Sequence, residues 1–269
     1  MFGSKMITSL HNPQIQAVRR LQTQAKARRQ RQEFIIEGVR LAEEALHSGW
    51  PAHEVFFTGG LDERGKVAVD LFSAQGVAVE QVSDTVMKAI SQTQTPQGIL
   101  AILVQKTLSL LPSPDFLLIL DELRDPGNMG TILRTAAAAG TQAVLLAPGC
   151  ADPWSPKVVR SAMGAHFHLP LICQPWQGIQ QMLKSASIDI SIYLADSAAG
   201  APYTQADFCS PLALIVGGEA AGAGNESLVL ADAKVHIPMP GGAESLNAAI
   251  AAGILLFEVV RQRASRNLR

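Results

Sequence analysis

The sequence predicts an α/β protein with a parallel sheet, and three observations carry this prediction. Short apolar runs alternate with segments of helical period along most of the 269 residues, a pattern typical of strands and helices in alternation. The run at residues 212–216 is apolar throughout and is followed by Gly217 and Gly218, as expected of a buried parallel strand that ends in a tight turn. From Glu244 onwards, an Ala-, Leu-, Ile- and Val-rich segment predicts a helix of about twenty residues.

The alternation divides the chain into two predicted domains and a linker. Residues 1–106 predict a small α/β domain, with strands at 34–36, 55–57, 77–82 and 98–104 and helices at 39–47, 67–74 and 84–91. Residues 107–115 contain Pro112 and Pro114 and show no clear period, so they predict the linker. Residues 116–269 predict the larger domain, with strands at 116–120, 143–146, 168–172, 190–195, 212–216 and 235–237 and helices at 129–139, 156–163 and 178–185 before the final one.

Composition excludes several classes of protein. Hydrophobic residues make up 48% of the chain, charged residues 17%, and the mean hydropathy is +0.17, so the chain can bury a core and is not predicted to be disordered. No apolar run reaches the roughly 20 residues that span a bilayer, and the N-terminus lacks a secretory signal. Three scattered cysteines predict neither a disulfide framework nor a zinc site. We therefore expect a cytoplasmic protein with no membrane contact and no metal.

Charge distribution is more informative than net charge. The net charge of −1 argues against a nucleic-acid partner, but the N-terminal segment has no acidic residue before Glu33. A protein that is neutral overall can still present a basic face to phosphates, and we expect this segment to bind RNA; an ordinary solvated helix face is the alternative. The predicted RNA-binding residues are Arg19, Arg20, Arg28, Arg29 and Arg31.

Three polar blocks follow predicted strands of the larger domain. In residues 118–140 a strand ends at Asp121, a turn carries Asn128 as the predicted N-cap of the next helix, and Arg134 stands on an otherwise uncharged helix. The second block is the glycine-rich turn at 216–224. The third runs from Ile237 to Asn247; taken alone, its Ser245 would be predicted to cap the last helix.

The blocks do not match the common nucleotide-binding or nucleophile motifs. The glycine spacing is GGxxxGxG instead of GxGxxG, and no acidic residue ends the following strand, which argues against a nicotinamide-dependent oxidoreductase. No Gly-Lys-Ser/Thr follows, so a P-loop is not predicted. Ser245 has no histidine nearby in sequence to activate it, and His166, His168 and His236 lack metal-ligand spacing.

Taken together, the blocks resemble the three motifs of the SpoU/TrmH family of RNA ribose 2′-O-methyltransferases, which belong to the SPOUT class and use S-adenosylmethionine. The matching segments are DPGNMGTILRTAAAAG, LIVGGEAAG and IPMPGGAESLNAAIAAGILLFEVVRQR. In front of them, FIIEGVRLAEEAL and TQTPQGILAIL resemble the small substrate-binding domain that many members carry. The resemblance implies a trefoil knot in the larger domain, a homodimer, and a cofactor held in the knotted loops.

The resemblance also implies which residues of this chain form the site, because each can be matched to a position in the family's motifs. The resemblance implies that S-adenosylmethionine is held by Gly217, Gly218, Ile237, Met239 and Leu246. It implies that the polar catalytic residues are Asn128, Arg134, Glu219, Ser245 and Asn247. The sequence departs from the family pattern at Ala220-Ala221 and at Ala243-Glu244, where a carboxylate stands beside the motif serine.

The predicted reaction is attack of an RNA ribose 2′-oxygen on the sulfonium methyl group, with ribosomal RNA as the favoured substrate. Because a guanidinium stays protonated in proteins, Arg134 is better suited to gripping a phosphate and orienting the hydroxyl than to removing its proton. The alternatives are a tRNA ribose 2′-O-methyltransferase and a non-catalytic RNA-binding protein of the same fold. The sequence does not indicate the target nucleotide.

Overall fold

A computed structural model describes residues 6–186, 188–197, 199–218 and 222–266. The chain forms two compact units. One comprises Met1–Lys106 with Trp154–Phe167, and the other comprises Thr107–Pro153 with His168–Arg269. Each unit has its own sheet.

The first unit is built on a four-stranded mixed sheet. Its strands are β1 Glu33–Glu37, β2 Ala52–Phe57, β3 Ala78–Gln81 and β4 Ile99–Val104, in the order β1-β4-β2-β3. Strand β4 is antiparallel to both neighbours, whereas β2 and β3 are parallel. The helices are α1 Pro13–Thr23, α2 Ala25–Arg31, α3 Val39–His47, α4 Glu63–Ala74 and α5 Asp84–Ile90. Asn12 caps α1 by accepting a hydrogen bond from the Gln14 amide at 2.8 Å.

The second unit is built on a seven-stranded sheet in which every strand pair is parallel. Its strands are β5 Phe116–Asp121, β6 Ala143–Leu146, β7 Leu171–Cys173, β8 Ser191–Ala195, β9 Ala201–Pro202, β10 Leu212–Gly217 and β11 Ala233–His236. They lie in the order β7-β6-β5-β10-β8-β11-β9. Its helices are α6 Pro126–Ala138, α8 Trp176–Ser185, α9 Asn225–Leu230 and α10 Ala248–Arg266, and α7 Pro156–Ala162 lies between β6 and β7 in the chain.

The centre of this sheet is formed by β5 and β10. All six residues of β5 are buried, as are residues 212–216 of β10, because strands covered on both faces expose neither set of side chains to water. Their parallel register pairs Gly217 with Asp121 at the carboxyl ends. The ends of the parallel strands therefore share one edge, where a ligand crevice is expected in such sheets. The trefoil knot remains a prediction.

Residues 154–167 pack with the first unit, although they follow β6 in the chain. The ring of Phe34 in β1 lies 4.8 Å from that of Trp154 and 6.3 Å from that of His166, between centroids. Trp50 contacts Phe167 at 5.3 Å in the same way. The predicted division at residues 107–115 did not anticipate this segment, because its aromatic partners lie more than a hundred residues away in sequence.

Several predicted boundaries were wrong, among them three within residues 116–269. Helix α6 begins at Pro126 and is capped by Asp125, whose side chain accepts from the Asn128 amide at 2.7 Å, so Asn128 is not the cap. The last helix begins at Ala248 instead of Glu244. The strand predicted at 168–172 is shortened at its start, because residues 165–167 form a 3₁₀ turn and β7 begins at Leu171.

Within the ranges that the structure describes, no helix combines the length and the apolar character that a membrane span requires.

Candidate active site

A cavity of about 340 Å³ lies at the carboxyl ends of β8, β10 and β11. This volume falls within the range of small-molecule sites. Its wall contains all five residues that the family motifs assign to the cofactor, together with Ser245, and it also contains residues that sequence reasoning did not select. The described lining residues are Ala195, Asp196, Ser197, Val216, Gly217, Gly218, Gly222, Ala223, Val235, Ile237, Met239, Glu244, Ser245, Leu246, Ala248, Ala251 and Leu255.

The two glycines at the end of β10 are required by close backbone approach. A Cβ on Gly217 would lie 2.8 Å from the carbonyl oxygen of Gly222, and a Cβ on Gly218 would lie 2.5 Å from that of Glu122. Real Cβ atoms do not approach a backbone oxygen so closely, so any larger residue would displace the chain. The cavity wall at this point is bare backbone, which leaves its peptide groups accessible to a ligand.

Asp121 fixes the far end of the glycine-rich turn. It is 2% exposed, and its carboxylate accepts hydrogen bonds from the Gly224 amide at 2.8 Å and the Ser227 hydroxyl at 2.6 Å. Both donors lie about a hundred residues further along the chain. From the sequence, Asp121 was interpreted only as the end of a strand, and its buried hydrogen bonds were not predicted. The signal for them was an acidic residue directly after a wholly apolar run, because a buried carboxylate needs hydrogen-bond donors.

The structure brings Asn128 and Asn247 together. The Asn247 side-chain amide donates to the Asn128 side-chain oxygen at 3.0 Å. The oxygen of Asn247 accepts from the backbone amides of Ala249 and Ile250 at 2.9 and 3.3 Å, so Asn247 caps α10 in the place predicted for Ser245. Two motif residues separated by 119 positions thus join the starts of α6 and α10.

The remaining predicted catalytic residues lie in different environments. Ser245 is exposed on the cavity wall. Arg134 is exposed on α6, six residues beyond Asn128, which places it about 120° around the helix axis from Asn128 at 100° per residue. Glu219 lies outside the described residues.

Two carboxylates on the cavity wall were not among the predicted site residues. Asp196 directly follows β8, where it accepts from Lys234 Nζ at 3.1 Å and from the Ala199 amide at 3.1 Å. Glu244 is exposed next to Ser245. A nucleotide-binding acid was expected at the end of the strand that follows the glycine-rich turn. Asp196 instead ends β8, which precedes that turn in the chain and is the neighbour of β10 in the sheet.

The basic residues of the first unit do not behave alike. Arg19, Arg20 and Arg29 are exposed on α1 and α2, and Arg31 is exposed but bonded to Glu33 at 2.6 Å. Arg28 is 5% exposed, and its guanidinium donates to the Leu21 carbonyl oxygen. Arg28 therefore holds the turn between the two helices and does not present a surface cation, contrary to the prediction.

No group of three or more His, Cys, Asp or Glu side chains in the described part of the chain is placed to hold a metal ion. Cys150 follows β6 in the second unit, and burial raises the pKa of its thiol to about 11. A thiol with that pKa is almost wholly protonated at neutral pH, so Cys150 is a poor nucleophile.

The fold and the residues on this cavity wall define an RNA methyltransferase domain, and comparison with known families identifies which one. The model of the SpoU rRNA Methylase family matches residues 115–257. The model of the MRM3-like substrate binding domain matches residues 12–101. The chain belongs to the SpoU rRNA methylase family.

Relatives match along nearly the whole chain. It is 36% identical over 255 residues to the 23S rRNA (guanosine(2553)-2′-O)-methyltransferase RlmP of Bacillus subtilis, covering 95% of this chain and 99% of that protein. It is 35% identical over 244 residues to the 23S rRNA (uridine(2479)-2′-O)-methyltransferase of Streptomyces viridochromogenes, covering 87% and 84%. These two relatives act on different nucleotides, so similarity does not identify a target for this chain.

A solved structure has the same architecture. The AdoMet-bound rRNA methyltransferase from Sinorhizobium meliloti superposes with a TM-score of 0.86 at 33% identity, covering 96% of this chain and 97% of that one.

Proposed function

We propose that this protein transfers a methyl group from S-adenosylmethionine to a ribose 2′-hydroxyl of ribosomal RNA. One observation carries the proposal: Gly217, Gly218, Ile237, Met239 and Leu246, from two separate motifs, line a single cavity that also contains Ser245. The relatives that match both units act on 23S rRNA, which favours ribosomal RNA over tRNA. With that substrate, the protein acts where ribosomes are assembled, and we place it in the cytoplasm.

The cavity suits the cofactor in size and in chemistry. Apolar side chains of Val216, Val235 and Leu255 provide a surface for a flat purine ring, while the bare backbone at Gly217 and Gly218 leaves peptide groups for its polar edge. A Cβ atom on either glycine would lie too close to a neighbouring carbonyl oxygen, so neither position can carry a side chain. The bound cofactor supplies an activated methyl group.

Around that cavity, the protein's contribution is alignment. The hydrogen bond between Asn247 and Asn128 fixes α6 against the start of α10, and Ser245 lies three residues before Ala248, the buried first residue of that helix. Holding the ribose oxygen in line with the methyl group accounts for much of the acceleration in such displacements.

Arg134 has the chemistry of an RNA-orienting group. It is exposed on an otherwise uncharged helix whose first turn carries Asn128. Its planar guanidinium can hold a phosphate through two parallel hydrogen bonds. Fixing the phosphate next to the target nucleotide would orient the adjacent 2′-hydroxyl, while the proton of that hydroxyl leaves to another acceptor.

The first unit provides the RNA-binding surface in this proposal. Arg19, Arg20 and Arg29 are exposed on α1 and α2, so their guanidinium groups can contact phosphates. Arg20 Nε also donates to the Gln16 carbonyl oxygen at 3.4 Å. The match of residues 12–101 to a substrate-binding domain supports the same role. Structured RNA is recognised largely through phosphates and exposed loops, so a modest basic surface is sufficient.

We also propose that the protein is a homodimer that uses α10. Ile250 is 55% exposed and Phe257 is 50% exposed, and their spacing of seven residues places them on one face of the helix. Half-exposed large apolar side chains aligned on one helix face are typical of an interaction surface.

Light scattering coupled to gel filtration tests this dimer. We expect twice the 28.6 kDa chain mass for the wild type and a shift towards the monomer for Phe257→Ser. Val67→Ser, which alters a 55% exposed residue of α4 in the first unit, should leave the mass unchanged. A monomeric wild type would contradict the dimer.

The activity is tested with purified protein, methyl-labelled S-adenosylmethionine and total RNA from a strain that lacks this gene. We expect label in one ribosomal RNA, at a single ribose whose 3′ linkage becomes resistant to alkali because its 2′-oxygen is methylated. Label in tRNA would show the alternative substrate. Absence of label in all RNA, despite measurable cofactor binding, would favour the non-catalytic RNA-binding protein.

A further inference from the structure

The cavity wall of the second unit has an uneven charge. Asp196 and Glu244 both line it, and the described lining residues include no Lys, Arg or His. The first turns of α10 also line the cavity through Ala248 and Ala251, and the start of a helix carries partial positive charge. The two carboxylates are therefore the groups that make this wall attractive to a cation.

Asp196 is the better placed of the two. Its side chain is 24% exposed, whereas Glu244 is an exposed residue, where water and salt screen its charge more strongly. Lys234 partly balances Asp196 at 3.1 Å, but Lys234 is not among the lining residues. Asp196 lines the cavity while it holds these bonds, and a charge interaction across the cavity requires no direct hydrogen bond to the ligand.

The reaction of the proposed function changes the charge of the ligand in this cavity. The sulfonium of S-adenosylmethionine loses its methyl group to the RNA and becomes the neutral thioether of S-adenosylhomocysteine. Adenine, ribose, ammonium and carboxylate are identical before and after transfer. The ratio of the two dissociation constants therefore isolates how the protein responds to the methylsulfonium group.

We propose that Asp196, with a smaller contribution from Glu244, makes the cavity prefer the sulfonium cofactor over its thioether product. The preference disappears when the charge is consumed, so it promotes exchange of the product for fresh cofactor. This inference rests on the proposed function, because it assumes that the cavity holds S-adenosylmethionine. It assigns Asp196 a role in selectivity between ligands and no step in methyl transfer.

Isothermal titration of the full chain with each ligand tests the proposal. We expect Asp196→Asn to lower the preference for S-adenosylmethionine over S-adenosylhomocysteine about fivefold, as for a partly screened charge interaction. Glu244→Gln should lower it about twofold, because an exposed charge is screened more strongly. Lys234→Met should raise it, because it removes the cation that offsets Asp196.

Asp189→Asn is the matched control. It removes the same charge from an exposed position in the second unit that does not line the cavity, and it should leave the preference unchanged. An unaltered ratio in Asp196→Asn, or equal weakening of both ligands, would overturn the inference. If Asp196→Asn does not fold, a ratio in Lys234→Met that fails to rise would overturn it instead. Binding of neither ligand to the wild type would overturn the proposed function itself.

Discussion

The two units of this chain carry their polar groups in different ways. In the second unit, the residues predicted to hold the cofactor lie at the carboxyl ends of buried parallel strands and line one cavity together with Ser245. In the first unit, the arginines that suit RNA lie on the outer faces of two N-terminal helices. Ligand affinity in a cavity depends on the fit between individual atoms, whereas RNA affinity at a basic surface depends on the sum of its charges. Substitutions should therefore act sharply in one unit and gradually in the other.

Arg134→Lys should give the largest effect in the second unit. The substitution keeps the charge but loses the planar fork, so we expect turnover to fall about a hundredfold through misalignment of the ribose. The dissociation constant for S-adenosylmethionine should stay within about twofold, because Arg134 does not line the cavity. Arg266→Lys, an exposed arginine of α10, is the control. Near-normal turnover of Arg134→Lys would remove its catalytic role.

Gly218→Ala should weaken the binding of S-adenosylmethionine. The added methyl group meets the Glu122 carbonyl oxygen at 2.5 Å, so the turn must shift at a cost of about 1–3 kcal/mol. We expect the affinity for S-adenosylmethionine to fall at least about tenfold, measured by titration calorimetry. Gly241→Ala is the matched control, because no atom lies within 4 Å of its Cβ position. Equal affinities in the two variants would refute the close-approach argument.

Neutralising the first unit's surface should have a graded effect. For Arg19→Gln combined with Arg20→Gln, we expect RNA affinity to fall about five- to tenfold near 0.15 M salt, with a shallower salt dependence. Cofactor affinity should not change. The control combines Arg64→Gln with Lys66→Gln, which removes the same charge from cations already bonded to Glu43 and Glu63. If both double variants weaken RNA binding equally, the effect belongs to net charge and not to this surface.

A smaller effect should appear in the stability of the first unit. Burial raises the pKa of Glu54, which is 8% exposed and accepts a hydrogen bond from Gln14. A raised pKa in the folded state means that stability is fully present below the ordinary value of 4.5 and declines as pH rises through the folded pKa. Glu54→Gln removes this decline, so its melting temperature should exceed that of the wild type by about 1–3 °C at pH 7. The difference should vanish below pH 4.5, and a constant difference across pH would contradict the assignment.

Much of the fold follows from local patterns. Residues 116–120 and 212–216 are apolar throughout because both faces of a central parallel strand are covered, and the two strands pair in the structure. A capping asparagine followed by proline is a local helix-start signal, and Asn12 and Pro13 stand at the start of α1. Such signals depend on neighbouring residues alone, which is why they can be read from the sequence.

The errors arise where distant residues decide the outcome. Arg28 was predicted to be a surface cation like its neighbours. In the structure the turn after α1 brings the Leu21 carbonyl oxygen to the Arg28 guanidinium, and the Arg28 side chain is buried. Asn128 can cap a helix as well as Asp125 can, but its side-chain oxygen accepts a hydrogen bond from Asn247 of the last motif. Asp196 reaches the cavity because β8 lies beside β10 in the sheet, and sequence order does not show that adjacency.

The central claim is that the cavity at the ends of β8, β10 and β11 holds the methyl donor. A crystal structure of the full chain with S-adenosylhomocysteine tests it most directly. We predict density for the ligand in contact with Gly217, Ile237 and Leu246. Density at any other place in the second unit, with this cavity filled only by water, would contradict the account.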